Sequence, residues 1–385
     1  MRGVHRQADV VIVGGGIVGI STAYHLKLAD RGLQVVVLDK GLLAEGSTGL
    51  SVGGFRQQFS LAANIRLSQE SLRQMELAMR QAPDAIQLHR IGYLFVTSEA
   101  TTWRGMLESA ALQMRCGVAV EVLDQAAIKQ RWPYLRTTDL AGGIFGPRDG
   151  YTDPYQVAMV FARAGREMGV CFKERSEVGG IGIRGDRIAS VRSREGNISC
   201  GALVNAAGPW AGRVAEMAGL SIPVLPYRRQ VFSLRTDDLL PRPVPMVIDL
   251  DRRFYFRGDG EGVLTGMSDL NEPSSFNTHV DLDFRDRVVE QLLHRVPGLG
   301  QARIHRSWAG LYAVTPDENP IIGFLGGPKG FWGAMGFSGH GFQHGPAAGK
   351  ILSELILSGQ TTFDLTPFRY DRFEGHTPNP EKRAV

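Results

Sequence analysis

The sequence predicts an α/β fold joined to an α+β part, and three observations predict it. Residues 9–40 read as strand, glycine turn, helix, strand and acid. Alternating short strands between Tyr227 and Met267 read as an antiparallel sheet. The 385 residues exceed the roughly 250–300 that one hydrophobic core serves, so two domains are expected.

Val10 to Val13 is wholly apolar and β-branched, as a parallel strand buried on both faces should be. Gly14, Gly16 and Gly19 follow as G-x-G-x-x-G. From Ile17 the apolar residues (Ile17, Ile20, Tyr24, Leu28) recur at helical spacing, Gly32 closes the helix, and Gln34 to Leu38 is a second buried strand ending in Asp39. This order is what dinucleotide binding requires. Gly14 permits the tight turn, Gly16 lets backbone approach a pyrophosphate, and Gly19 lets helix pack on strand. The helix N-terminus offers its unpaired N–H groups to phosphate. Gly14, Gly15, Gly16, Ile17, Val18 and Gly19 are therefore cofactor-binding candidates. Asp39, followed by Lys40, is placed to accept ribose hydroxyls, which leaves FAD and NAD both open and disfavours a 2′-phosphate.

Bulk properties exclude several classes. Apolar content of 43% and charged content of 21% fit a soluble globular chain. The net charge of +4 rests on scattered arginines rather than a basic face, which argues against nucleic acid. Cys116, Cys171 and Cys200 are too few and too far apart for a disulfide framework or a metal site. The first strand begins so near Met1 that a signal peptide has no room, and no apolar run is long enough for a transmembrane segment. The expected location is cytoplasmic.

Gly41 to Gly54 is a glycine- and serine-rich loop, and Phe55 to Ser60 (FRQQFS) is compact and polar. Helices are expected over Asn64 to Met79 and Glu99 to Met114, and strands over Ile91 to Val96, Val118 to Leu123 and Leu140 to Phe145. Asp153-Pro154 starts a helix that runs to about Met168, the acid as N-cap and the proline in the first turn. Val170 to Phe172 is a strand, Glu177 to Arg184 and Arg187 to Arg194 a hairpin, and Ala202 to Ala206 a buried strand ending in NAAGPWAG. Gly180, Gly182 and Gly185 repeat G-x-G-x-x-G, but a strand follows them, so they are a hairpin turn. Further strands are Tyr227 to Arg235, Met246 to Leu250, Arg253 to Arg257, Val263 to Met267, Ile304 to Val314 and Phe331 to Phe337, with a helix at Leu282 to Val296. Ser338 to Gly359 turns through glycines into a long helix, and Gly375 to Val385 reads as a loose tail.

Four segments, VIVGGGIVGISTAYHL, GSTGLSVGGFRQQF, NAAGPWAG and WAGLYAVTPDENPIIG with GFSGHGFQHGPAAGK, resemble the flavin-dependent amine and amino-acid oxidoreductases: D-amino acid oxidase, glycine oxidase and sarcosine oxidase. The likeness spans the chain and is greatest to the branch of sarcosine oxidase β-subunits and FOXRED-type dehydrogenases. It implies a discontinuous, Rossmann-like FAD-binding domain (1–82, 147–218, 310–370). A substrate domain with a large antiparallel or mixed sheet (83–146, 219–309) and a tail (371–385) complete the chain. It also implies FAD contacts at Gly46, Ser47, Thr48, Gly54, Val178, Ala207, Gly208, Trp210 and Gly310. At the flavin end, Gly336, Gly339, His340, Gly341, Phe342 and Gln343 sit where a strand turns into a helix. Free N–H groups there would face the flavin edge that gains negative charge on reduction.

The chain also departs from the family. Gly310 stands where monomeric sarcosine oxidases carry the cysteine that links FAD, so the cofactor is expected to be non-covalent. No lysine occurs between Lys173 and Lys329, where those oxidases place one over the flavin, which favours a dehydrogenase. Gln343 replaces the lysine that holds the substrate carboxylate. That leaves Arg56 as the carboxylate partner or, alternatively, as a structural residue of the flavin loop. Tyr255 and Tyr312 match substrate-side tyrosines or are packed sheet residues, and His340 shapes the flavin edge rather than acting as a base. The resemblance implies FAD-dependent oxidation of the C–N bond of a small amino acid or N-alkyl amino acid. Hydride passes to flavin N5 and an imine hydrolyses, with O2, a quinone or a partner subunit as electron acceptor. The alternatives are a subunit of a heteromeric amino-acid or opine dehydrogenase, a 2-hydroxy-acid oxidoreductase, and a non-catalytic flavoprotein assembly factor.

Overall fold

Val10–Val13 is β-branched at every position and buried on both faces, and it forms a central strand of a six-stranded sheet. The structure is a computed structural model in which residues 6–82, 85–236, 240–374 and 380–381 are described. Val35–Leu38 and Ala202–Asn205 flank the central strand in parallel, each in register from Val10. The sheet order is Ile321–Phe324, Phe331–Met335, Ala202–Asn205, Val10–Val13, Val35–Leu38, Cys171–Lys173, with the first of these antiparallel to its neighbour.

Two helices cross on this sheet, Ile17–Ala29 and Gly341–Ser358. Gly345 and Gly349 are where they meet. A Cβ on Gly349 would lie 2.5 Å from the Thr22 backbone nitrogen, and the Ser21 hydroxyl donates to the Gly345 carbonyl at 2.8 Å. The first and last regular helices thus touch backbone to backbone.

Pro154–Glu167 packs beside the first helix and begins as the sequence predicts. The Asp153 carboxylate accepts from the N–H groups of Tyr155 and Gln156 at 2.9 and 3.0 Å. Asp153→Ala should therefore cost about 1 kcal/mol, read as a lower urea midpoint with an unchanged slope.

The second sheet has eight strands, in the order Arg303–Val314, Leu225–Arg235, Gly262–Met267, Phe254–Asp259, Met246–Asp249, Tyr93–Thr97, Gly142–Gly146, Glu121–Leu123. It is mixed, because Met246–Asp249 runs parallel to Tyr93–Thr97. Its outer face carries Phe232, Phe254, Phe256 and Val247 against the helix Leu282–Arg295. Its inner face roofs the cavity described below.

Three readings need correction. The first helix ends at Ala29 rather than at Gly32, and Lys27 Nζ caps the following turn by donating to the Arg31 and Leu33 carbonyls. The strands between Tyr227 and Met267 pair antiparallel as expected, within the larger mixed sheet. The tail is not loose at Glu381, which is 2% exposed and accepts from the Ser60 N–H, the Ser60 hydroxyl and the Asn64 amide; its other residues, apart from Pro380, lie outside the described ones. Four elements are additional: the helix Gln125–Arg131, the strands Gly196–Ser199 and Ile321–Phe324, and a ribbon pairing Gly54–Phe55 with Gly150–Tyr151. Each is short, and short elements carry little periodicity. The second glycine motif is a hairpin as expected, with Gly185 at φ +61° in its turn.

Candidate active site

One cavity of about 570 Å³ runs from the glycine turn after Val13 to the inner face of the eight-stranded sheet. Its volume is that of a ligand site. Every residue singled out from the sequence lines it except Gly15 and Gly19. Those two shape it from behind. Gly15 N–H donates to Asp39 Oδ2 at 2.6 Å, and a Cβ on Gly19 would stand 1.9 Å from the Gly14 carbonyl oxygen, where helix packs on strand.

At the first end, Gly14 is held at φ +112°, and a Cβ there would meet the Ala206 carbonyl oxygen at 2.2 Å. Asp39 accepts from Gly15 N–H and, through Oδ1, from Gly41 N–H at 2.7 Å, so it ties two loops together while lining the cavity. Thr48 Oγ1 accepts from Ile17 N–H at 3.1 Å, and the Ser47 hydroxyl donates to the Leu311 carbonyl at 2.6 Å. Lys40 Nζ lies 3.1 Å from the Trp210 ring centroid, and Trp210 stacks on Phe276 at 5.3 Å, with the Arg213 guanidinium 4.1 Å from the far ring. Burial pushes the Lys40 pKa down, with Glu177 and Asp39 opposing the shift.

At the other end, Phe331–Met335 turns through Gly336 (φ +70°), Ser338 (φ +49°) and Gly339 (φ +98°) into the last helix. The N-cap residue His340 makes no side-chain cap, and the N–H groups of Gly341, Phe342 and Gln343 have no backbone partner among the described residues. They are the donors a helix N-terminus leaves for an anion. A Cβ on Gly339 would sit 2.5 Å from the Tyr312 ring, so glycine is what lets the turn pass beneath it. These features fit FAD: donors for phosphates at one end, donors for a ring edge at the other, and a continuous groove between.

Arg56 is 4% exposed between Phe59 and Phe95. Its guanidinium donates to the Gln58 carbonyl and meets His340 Nε2 at 2.9 Å, and its backbone N–H donates to Gln343 Oε1 at 2.7 Å. Burial pushes its pKa down while Glu381 supports the charge. Burial and then Arg56 hold His340 well below the usual imidazole range, so its ring is neutral.

Overhead, sheet register sets Val231, Gly266, Tyr255 and Ile248 in one row. A Cβ on Gly266 would come 2.6 Å from the Tyr255 hydroxyl, so that ring needs the glycine. Burial raises the pKa of Tyr93, Tyr255 and Tyr312, which keeps all three hydroxyls protonated. Tyr93, Met246, Ile248 and Arg229 are lining residues that sequence reading missed. Strand alternation was the available signal, but it does not say which face is inward.

The model of a family described as FAD dependent oxidoreductase (DAO) matches residues 9–355. FAD-dependent oxidoreductase domain-containing protein 1 of Xenopus laevis is 34% identical over 98% of this chain and 85% of its own length. Human mitochondrial dimethylglycine dehydrogenase is 30% identical over 95% of this chain, which spans 45% of that protein. The solved L-proline dehydrogenase of P. horikoshii is 30% identical, with a TM-score of 0.89 over 96% of this chain and 99% of that one.

Proposed function

The chain belongs to the DAO family of FAD-dependent oxidoreductases, and from that premise we propose that it oxidises the C–N bond of a small amino acid or N-alkyl amino acid. The observation that carries this reading is the cavity's second end. Arg56, Arg229, Tyr93, Tyr255 and Tyr312 line it there, and the acids lining the cavity among the described residues, Asp39, Glu45 and Glu177, belong to the fingerprint end. Such a chamber suits a carboxylate and a neutral amine, since it offers no anion to hold an ammonium. Bound FAD supplies the two-electron acceptor: the α-hydrogen leaves with its electron pair as hydride, and the resulting imine takes up water. The protein's part is to hold the carboxylate, keep the hydroxyls protonated, and present the N–H groups of Gly341 to Gln343 to the cofactor edge. No side chain of the chamber is assigned as a base.

Non-covalent attachment is supported by Gly310, which lines the cavity without a nucleophile. A dehydrogenase, passing electrons to a quinone or a partner subunit rather than to O2, is supported by the lining lysines among the described residues: Lys40 alone, at the fingerprint end. No helix among the described residues is long and apolar enough to cross a membrane, and the cytoplasm is the location proposed. The discontinuous division into a cofactor part and a substrate part is supported by the two large sheets.

Anaerobic mixing of the FAD-loaded protein with sarcosine, proline, D-amino acids and opines tests the reading. At least one should bleach the flavin, and the bleached protein should recover faster with a quinone than with air. If none of these compounds bleaches it, the proposal is wrong.

A further inference from the structure

We propose that Arg229, on the roof strand Leu225–Arg235, is the residue that binds the substrate carboxylate and so sets the preference for amino acids over plain amines. This rests on the reading above that the chamber is an amine-oxidising site.

Arg56 is the guanidinium that the family likeness points to, but it is engaged by the Gln58 carbonyl and His340, and Glu381 balances its charge from within the protein. Arg229 differs on each count. Among the described residues its buried Nε has no hydrogen-bond partner, and its one side-chain bond runs from Nη1 to the neighbouring Arg228 carbonyl at 2.9 Å. It makes no salt bridge among the described residues. Asp269 and Glu318 feel its charge, but neither lines the cavity.

The strand explains its direction. Arg228 points to the opposite face, where it holds Glu272 at 3.0 and 2.8 Å, and Gln230 accepts from Asp281 N–H. Arg229 and Val231, two apart, face the cavity together. Directly across the ladder from Arg229 stands Gly310, which has no side chain to crowd it, and Tyr312 follows two residues on with its ring centroid 5.1 Å from the guanidinium carbon. A buried N–H without a partner costs stability that a bound carboxylate returns through charge-assisted hydrogen bonds, with a tyrosine hydroxyl beside it to donate a further one. The carboxylate is thereby gripped from the roof rather than from the loop that carries Arg56.

The test uses the FAD-loaded protein and two unreactive probes of one shape, pyrrole-2-carboxylate and pyrrole, titrated by flavin difference spectra and by calorimetry. The intact protein should bind the carboxylate more tightly. Arg229→Met should weaken pyrrole-2-carboxylate roughly 10- to 100-fold and leave pyrrole unchanged, and Arg229→Lys should recover part of the loss. A structural role would move both probes together, and that result overturns the proposal, as does a carboxylate preference that survives in Arg229→Met. The two ideas fail separately. If the carboxylate preference depends on Arg229 yet no amine bleaches the flavin, the oxidation reading falls and Arg229 keeps its role. If amino acids bleach the flavin equally well in Arg229→Met, the reverse holds.

Discussion

Gly14→Ala should give a protein purified without its yellow colour. The new Cβ would stand 2.2 Å from the Ala206 carbonyl oxygen, on backbone held at φ +112°, so both the turn and the end of the Ala202–Asn205 strand must move. Left-handed strain and the clash together cost on the order of 3 kcal/mol, at the wall where the pyrophosphate would lie. The matched control is Gly180→Ala in the second glycine motif. There the Cβ meets the end of the Arg192 side chain at 3.0 Å, which can swing aside, and flavin content should stay at the native level. Flavin absorbance per protein, after denaturation to release the cofactor, reads both. A Gly14→Ala protein that retains stoichiometric FAD refutes the assignment of the turn.

Acid should destabilise the protein steeply below about pH 6.5. Burial holds His25 and His344 down to about 3, and His340 is also held well below the ordinary value of 6.5. An imidazole whose folded pKa is depressed takes up its proton only on unfolding, so stability is lost as pH falls from 6.5 toward 3. Asp149 works in the opposite direction: burial raises it to about 7 from 3.8, so the folded chain keeps a proton that the unfolded chain releases. Three protons against one leave about two, or up to roughly 3 kcal/mol per pH unit around pH 5. Urea midpoints between about pH 8 and 5 would show it, and His25→Leu should flatten the curve by about one proton. A midpoint unchanged over that range would contradict the buried neutral rings.

How much of this was legible in the sequence follows from how far each signal reaches. The glycine turn, the Asp153 cap and the Gly336 to Gln343 turn were readable because their chemistry lies within a few consecutive residues. Arg229 was not, because Tyr227-Arg228-Arg229-Gln230 holds two adjacent arginines on opposite faces of one strand. A one-residue change of register would exchange their jobs, and register is set by partners eighty residues away at Leu311 and Gly310. Arg56 was found but not understood. Its partners Gln58 and His340 were in view, yet nothing in FRQQF says that its donors fold back onto the protein. Glu381 lay in a stretch whose composition promised no structure, and its burial depends on Ser60 and Asn64, over three hundred residues earlier.

The crossing of the first and last helices bears on how the protein is made. Val10–Val13 and its glycine turn are made well before their sheet neighbour at 202–205, the strand at 331–335 that pairs with that neighbour, and the helix Gly341–Ser358 that lies on Ile17–Ala29. The nascent turn therefore lacks its far walls until the helix Gly341–Ser358 has been made, and pairing strands so distant in sequence carries the loop-closure cost that makes folding slow. Cofactor capture then waits for the helix Gly341–Ser358. Ribosome-stalled chains cut short before residue 341 should take up no FAD, however intact their fingerprint.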